Sequence, residues 1–363
     1  MLWPCASERA GLYPYFLDAP LGVLLLSERG GGCASPALTP MTSHHSNRRT
    51  RARVLSLVCG ALAAALAGSW GAGAAMWVVG PHALSASLDE VRIDADPLRV
   101  AVIGDIQNGF SEFADLQTKI AELTPDLVVQ LGDTVNNATE GRYAALHSSI
   151  RAHGAGVPML VVPGNHDIAR SGDGLSLFKA WVGPTEWRFD HGGWCLLGLN
   201  NAAGELSAKS RDLLAKADAD GPAHGVVVFA HRPETAPVTP APLVQFAGHI
   251  HSSSEFVDAA GTRHVYHGNN CDRSHDADPG DLPTVGILTL GSDGDCSWED
   301  GWTVPRRLLV TEELRRLVVG SLYPLMRAWP VAASALIALL VAAAAAAWRW
   351  PAHAAGGVRS ARG

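Results

Sequence analysis

Five short polar motifs lie in order along the chain, and four of them close an apolar run. They are Asp105-Ile106-Gln107, Gly132-Asp133, Gly164-Asn165-His166-Asp167, His231 and Gly248-His249-Ile250-His251. The apolar runs occupy residues 98–104, 127–131, 159–163 and 226–230. Short Val/Ile/Leu-rich runs bounded by Gly, Pro and Asn read as buried strands. Polar side chains delivered from the C-terminal ends of several strands converge at one edge of a sheet. Carboxylate, amide and imidazole groups gathered there suit divalent metals, so the chain is expected to fold around a two-metal site.

Between residue 97 and about residue 302, strand and helix patterns alternate. The first strand is followed by a helix over 111–123, capped by Ser111, and the second strand by a helix over 140–153. Strands over 187–200 turn at Gly192-Gly193, and a helix over 205–219 precedes the strand at 226–230. Further strands are expected at 243–248 and around 255–257, 264–267 and 286–289. Early alternation with strands late predicts an α/β sandwich of two packed sheets.

The hydrophobic content of 47% is inflated by alanine-rich stretches at both ends. Arg48, Arg49, Arg51 and Arg53 precede an apolar run over 54–80, longer than the roughly 20 residues that cross a bilayer. A second run over 331–347 closes with Trp348-Arg349-Trp350. Both are expected to be transmembrane helices. With Arg349, Arg359 and Arg362 after the second, the positive-inside rule places both ends in the cytoplasm and the central domain outside it, at the cell membrane. Small residues at 72–74 and 83–86 leave a cleaved signal peptide as the alternative for the first run. The arginine-rich stretch 306–328 is expected to form an amphipathic juxtamembrane helix on the membrane surface. Residues 1–47 lack periodicity and are expected to be disordered or over-extended, with translation starting at Met41. The expected division is therefore 1–47, anchor segment 48–80, domain 97–302, juxtamembrane 306–328, second span 331–350 and cytoplasmic tail 351–363.

A net charge of -7 gives no basic footprint, which argues against nucleic acid as an obligate partner. Six cysteines without a CxxC pair give no zinc ribbon or thioredoxin-like site. Cys271 and Cys296 are the favoured disulfide if the compartment is oxidising, with two buried free thiols as the alternative.

Asp105 and Gln107 alternate along a strand end, as do His249 and His251, so each pair can share one side. Asp133 is a short carboxylate in a Gly-Asp turn, suited to bridging two ions about 3.5–4 Å apart. Asn165 offers an amide oxygen and His231 a ring nitrogen.

In this order the motifs resemble the calcineurin-like metallophosphoesterase superfamily, whose pattern is D-x-H, GD, GNH-D/E, H and GH-x-H. The resemblance covers residues 97–302 and implies a four-layer α/β/β/α sandwich with two metals above the sheet edge. It implies Asp105, Gln107, Asp133 and His251 around the first metal, and Asp133, Asn165, His231 and His249 around the second. His166 would stand beside the metals as general acid; Asp167 either orients its imidazole or holds the turn. The implied activity is hydrolysis of phosphodiester or pyrophosphate bonds by a hydroxide that two metals generate. Phosphomonoester hydrolysis on exported or lipid-linked substrates is the enzymatic alternative, and a catalytically reduced metal-binding sensor is the non-enzymatic one.

Gln107 stands where the superfamily most often has histidine, and in this the chain is similar to the Mn-dependent ADP-ribose/CDP-alcohol pyrophosphatases. A neutral amide oxygen is a harder ligand than imidazole, favouring Mn²⁺ or Fe²⁺, with Mg²⁺ and Zn²⁺ behind. Near the motif ends, Arg232, Asn136 and Asn201, with Arg170, Asn137 and Asn269, are candidates to line a substrate pocket. Arg232 would hold a second phosphate, and the substrate would be a nucleotide or lipid-linked phosphate ester. His264 and His267 read as structural strand residues.

Overall fold

The computed structural model describes residues 43–77, 93–233, 238–267, 271 and 282–353. The expectations placed on residues 1–42, on the small residues at 83–86, on Asn269 and on residues 354–363 lie outside them. After a long helix α1 (Ser43–Met76), the chain alternates through β1 (Leu98–Ile103), α2 (Phe110–Leu123), β2 (Leu127–Gln130), α3 (Glu140–His153) and β3 (Met159–Val161). A short helix α4 (Ser176–Trp181) leads to β4 (Trp187–His191), β5 (Trp194–Gly198), α5 (Ala208–Asp220), β6 (Gly225–Ala230) and β7 (Val244–Ala247). Four strands follow: β8 (Ser253–Val257), β9 (Arg263–His267), β10 (Thr284–Leu290) and β11 (Cys296–Thr303). The chain then turns helical as α6 (Val310–Leu317), a π turn (Val318–Leu322), α7 (Tyr323–Ala328) and α8 (Pro330–His353).

The strands make two sheets, in the orders β11-β10-β1-β2-β3 and β4-β5-β6-β7-β9-β8. β1, β2 and β3 run parallel, as do β5, β6, β7 and β9, while antiparallel strands close the edges. Alternation along each strand builds three cores from two sheets. Leu98, Val100 and Val102 of β1 face the second sheet, where they meet Val227 and Phe229 of β6. Ala101 and Ile103 face the other way, against Phe113 of α2 and Tyr143 of α3. Val226, Val228 and Ala230 point outward from the second sheet onto Leu214 and Ala217 of α5. The result is the four-layer α/β/β/α sandwich, with the C-terminal ends of β1, β2, β3, β6 and β7 carrying the polar motifs.

Three local expectations are corrected. α2 starts at Phe110 behind Gly109, so Ser111 is not its cap. The Ser111 hydroxyl instead donates to Glu313 and accepts from the Leu309 amide. That long-range pair has no trace in local spacing. α5 starts at Ala208, where the Ser207 hydroxyl accepts from the Ser210 amide at 3.0 Å, later than residue 205. Cys271 and Cys296 are not joined in a disulfide. Cys271 packs in the core under α2 and α3, Cys296 against the core between the sheets, so the first sheet separates them. β11, a polar edge strand, has no counterpart among the expected elements because its exposed residues outnumber its buried ones.

α1 and α8 contain stretches long and apolar enough to cross a membrane, Thr50–Met76 and Pro330–Arg349. They touch through the Ser56 hydroxyl, which donates to the Ala344 carbonyl at 2.7 Å. At its C-terminal end α1 is held by the domain: Trp77 stands edge-on to Trp181 with centroids 5.7 Å apart, and Tyr323 and Arg327 close over it.

α6 seats one face on α3. Glu312 is fully buried there; its carboxylate accepts from the Ser149 hydroxyl at 2.7 Å, from His153 Nε2 at 2.9 Å and from Arg315 Nε at 3.1 Å. Burial pulls the Glu312 carboxyl upward, but these donors outweigh it and leave it below its ordinary value.

Candidate metal centre

The motifs meet where the two sheets present their strand ends. Asp105 follows β1 and is fully buried; Asp133 follows β2 and is 1% exposed. Asp105 Oδ1 accepts from the His249 amide at 3.3 Å, and Oδ2 from His251 Nε2 at 3.0 Å. Gln107 Nε2 donates to Asp133 Oδ2 at 3.2 Å, and the amides of Ile106 and Gln107 both donate to the Asp133 carbonyl. Asp105, Asp133 and His231 offer ligand atoms within 4.8 Å of one another.

Close approach explains why glycine precedes the candidate ligands. A Cβ on Gly164 would come within 2.1 Å of Asp133 Oδ1, and one on Gly248 within 2.7 Å of Asp105 Oδ1. The ligand positions themselves are strained. Among the described residues five non-glycines have positive φ, and four of them are Gln107 (48°), Asp133 (52°), His249 (68°) and His251 (58°). Left-handed backbone at non-glycine residues costs energy and concentrates at functional sites.

His231 gives the clearest test of whether a cation fits. It is fully buried, and its Nδ1 donates to the Leu131 carbonyl at 2.9 Å, which can only accept. The other nitrogen, Nε2, faces Asn165 Oδ1 at 2.9 Å and Asp133 Oδ1 at 3.4 Å. Nε2, Asn165 Oδ1 and Asp133 Oδ1, the last also accepting from the His166 amide at 2.8 Å, are three potential ligand atoms gathered at one point. A divalent cation satisfies all three, and the mixed nitrogen and oxygen donors suit a metal of intermediate hardness. Asp133 reports the same crowding: burial, then the charges of Asp105 and Asp167, raise its carboxyl well above the ordinary range. His249 goes the other way. Burial, then His231 and Arg232, lower its imidazole to about 4, so it is neutral and able to ligate.

His166 stands at the rim. Its Nδ1 donates to the Asn136 carbonyl at 2.7 Å, which turns Nε2 toward the centre, 3.9 Å from Asp133 Oδ2. Asp167 does not touch that ring in any hydrogen bond. Fully buried, its carboxylate accepts from the Gly164 amide at 2.9 Å, from the Thr134 amide and hydroxyl, and from Tyr143 Oη at 3.1 Å. It ties the loop of Asp133 to the loop of Asn165, which is the turn-holding role of the two considered.

Arg232 reaches the centre, where its Nη1 donates to His249 Nε2 at 2.9 Å. Asn201 is spent in holding it: its amide donates to the Arg232 carbonyl at 2.7 Å and accepts from the Arg232 amide at 3.0 Å. Fully buried, Asn201 holds the backbone of Arg232 from both sides. Asn136 contributes its carbonyl, to His166. Arg170 is exposed. His264 and His267 serve β9, bonding Asp258 and the Thr284 carbonyl.

One functional residue escaped the sequence reading. Gln130, buried at the end of β2, donates to the Gly104 carbonyl at 3.0 Å and to the Gly132 carbonyl, and accepts from the Gly132 amide at 3.1 Å. It clips the Asp105 loop to the Asp133 loop. A lone glutamine in the run Leu-Val-Val-Gln-Leu was the available signal.

Residues 98–253 match the family model described as calcineurin-like phosphoesterase. No curated protein sequence matches the chain. Among solved structures, a dimetal phosphatase from Danio rerio is 15% identical, covering 54% of this chain and 96% of that one, with a TM-score of 0.35. The inner-membrane-complex anchor GAP50 of Plasmodium is 12% identical over 63% of this chain and 96% of that one, TM-score 0.38. An archaeal phosphodiesterase is 11% identical over 56% and 99%, TM-score 0.33. The family match begins with β1 and ends just after His251, so it spans every motif, while the strands that complete both sheets lie beyond it. Residues 98–253 of this chain are a calcineurin-like phosphoesterase domain.

Proposed function

We propose that this phosphoric ester hydrolase cleaves phosphodiester or pyrophosphate bonds, at a centre that holds two divalent ions. Asp105, Gln107, Asp133 and His251 would hold one and Asp133, Asn165, His231 and His249 the other, with Mn²⁺ or Fe²⁺ favoured by the oxygen-rich set around Gln107. The observation that carries the reading is His231 Nε2 turned on Asn165 and Asp133 while its Nδ1 is committed to Leu131. When bound, the ions supply Lewis acidity toward phosphate oxygens and toward a water molecule.

The chain's own residues do the rest. Asp133 stands between the two ligand groups and supplies negative charge to both. His166, with Nδ1 pinned by Asn136, presents Nε2 to the centre and donates a proton to the departing oxygen when protonated. Asp167 fixes the loop that carries it. Arg232, seated by Asn201, adds a cation beside His249 suited to a second phosphate, which supports pyrophosphate-linked or diester substrates over monoesters. α1 and α8 would anchor the domain, with the arginines at the ends remote from it (Arg51, Arg53, Arg349) supporting an extracytoplasmic placement.

Purified protein, assayed for metal per chain and for hydrolysis of bis(p-nitrophenyl) phosphate, tests the proposal. Two ions per chain with turnover is the expected result. One ion and no turnover across diverse esters would replace it with the sensor reading, which draws on Gln107 presenting its NH₂ to Asp133.

A further inference from the structure

The helical stretch between β11 and α8 has two faces, and only one is used. Glu312 and Val319 are buried against the domain, and Arg315 donates to the Ser148 hydroxyl at 2.8 Å. On the opposite face, at helical spacing, lie Val310 (64% exposed), Leu314 (53%), Leu317 (49%) and Leu325 (61%). Leu308 precedes this row and Trp329 ends it, both more than half exposed. Scattered exposed leucines are ordinary; a continuous row of this length marks an interaction surface.

We propose that this row lies in the interfacial region of a lipid bilayer, with its apolar side chains among the acyl chains, and that it seats the α2/α3 side of the sandwich on the membrane. The proposal rests on reading α1 and α8 as membrane spans. Four observations choose lipid as the occupant. The row leads into α8, which starts at Pro330 after the non-helical Trp329 and whose apolar window is only 6% buried. It ends in Trp329, at the mouth of that span, where indole rings settle at the headgroup level. Arg316 and Arg327 stand on flanking faces, ion-paired with Glu313 and Glu140, so charge borders the apolar row while the long stems can cover apolar surface. At its end the row itself, through Leu325 and Trp329, joins Leu66 of α1 and Leu336 of α8 in lining an apolar crevice of about 270 Å³.

The consequence is a fixed posture. α6 is bonded to α3 through Glu312, and the end of α1 is clasped by Trp181, Tyr323 and Arg327, so the domain does not swing on a tether. α5, on the outer face of the second sheet, is the layer farthest from the bilayer.

Full-length protein in phosphatidylcholine–phosphatidylglycerol vesicles, with a photo-crosslinking benzophenone amino acid at single positions, tests this. Positions 314 and 317 probe the row, 339 probes α8, and 216 on α5 is the control; all are exposed or nearly so and tolerate a larger side chain. Lipid adducts at 314, 317 and 339 with none above background at 216 are expected. Adducts at 339 alone overturn the interfacial seat while leaving the spans intact. Protein–protein adducts at 314 overturn it in favour of self-association. No adducts at 339 remove the membrane reading and the proposal with it.

Discussion

Two of the buried carboxylates, Glu312 and Asp133, have opposite surroundings. Glu312 meets a hydroxyl, an imidazole and a guanidinium, and these donors hold its carboxyl below the ordinary range despite burial. Asp133 lies near two other carboxylates, Asp105 and Asp167, and burial together with those charges drives it up. A buried charge whose neighbours satisfy it is part of the scaffold. One whose neighbours repel it is costly to keep unless a cation is meant to join. The fold therefore marks its own functional site by where electrostatics are left unbalanced.

The same chemical change at the two positions separates them most widely. Asp133→Asn should lower hydrolysis of a phosphodiester by about a thousandfold and reduce the metal per chain. In the metal-stripped protein it should leave thermal stability unchanged or raised, because a repelled charge is removed. A metal-free variant less stable than its parent would undo the contrast. Gln130→Leu keeps every charge but unclips the two ligand loops, and is expected to cost about ten- to hundredfold in activity or metal affinity. Unaltered metal titrations would show that the clip is dispensable.

Glu312→Gln should show the converse pattern, losing about 2 kcal/mol of stability with its charge-assisted hydrogen bonds while metal content stays the same. Denaturant unfolding in detergent reads it. Gln107→His exchanges an amide for imidazole and should move the metal preference toward Zn²⁺ by a few-fold. Equal activity profiles across Mn²⁺, Mg²⁺ and Zn²⁺ in both proteins would remove Gln107 from the ligand set. The smallest effect is with pH. Because the folded Glu312 carboxyl lies below its unfolded value of 4.5, its contribution is complete above that value and fades as pH falls through the folded one. Acid should therefore loosen α6 in the parent protein and not in Glu312→Gln, as hydrogen exchange at residues 310–317 would report.

Much of this was legible in the sequence because period-two apolar runs and glycine punctuation are local signals. β1, β2, β3 and β6, and the motif after each, follow from such spacing, and so do both apolar helices. What the sequence did not disclose depends on partners far along the chain. The role of Ser111 is set by Leu309 and Glu313, and that of Asn201 by the backbone of Arg232. Asp167 had two readings from its neighbours, and the choice lay with Thr134 and Tyr143. Cys271 and Cys296 could be paired on paper only because a sheet between them has no sequence signature.

The amide of His249 reaches back to Asp105 across 144 residues. Closing so long a loop carries an entropic cost, so this contact arrives late in folding, after local strands and helices have formed. During synthesis, a ribosome that has delivered β1, β2 and β3 has delivered Asp105, Gln107, Asp133 and Asn165, yet no enclosed coordination sphere. On the proposed ligand set, metal capture becomes a checkpoint on assembly, because a chain that retains its ions would have already brought both sheets together.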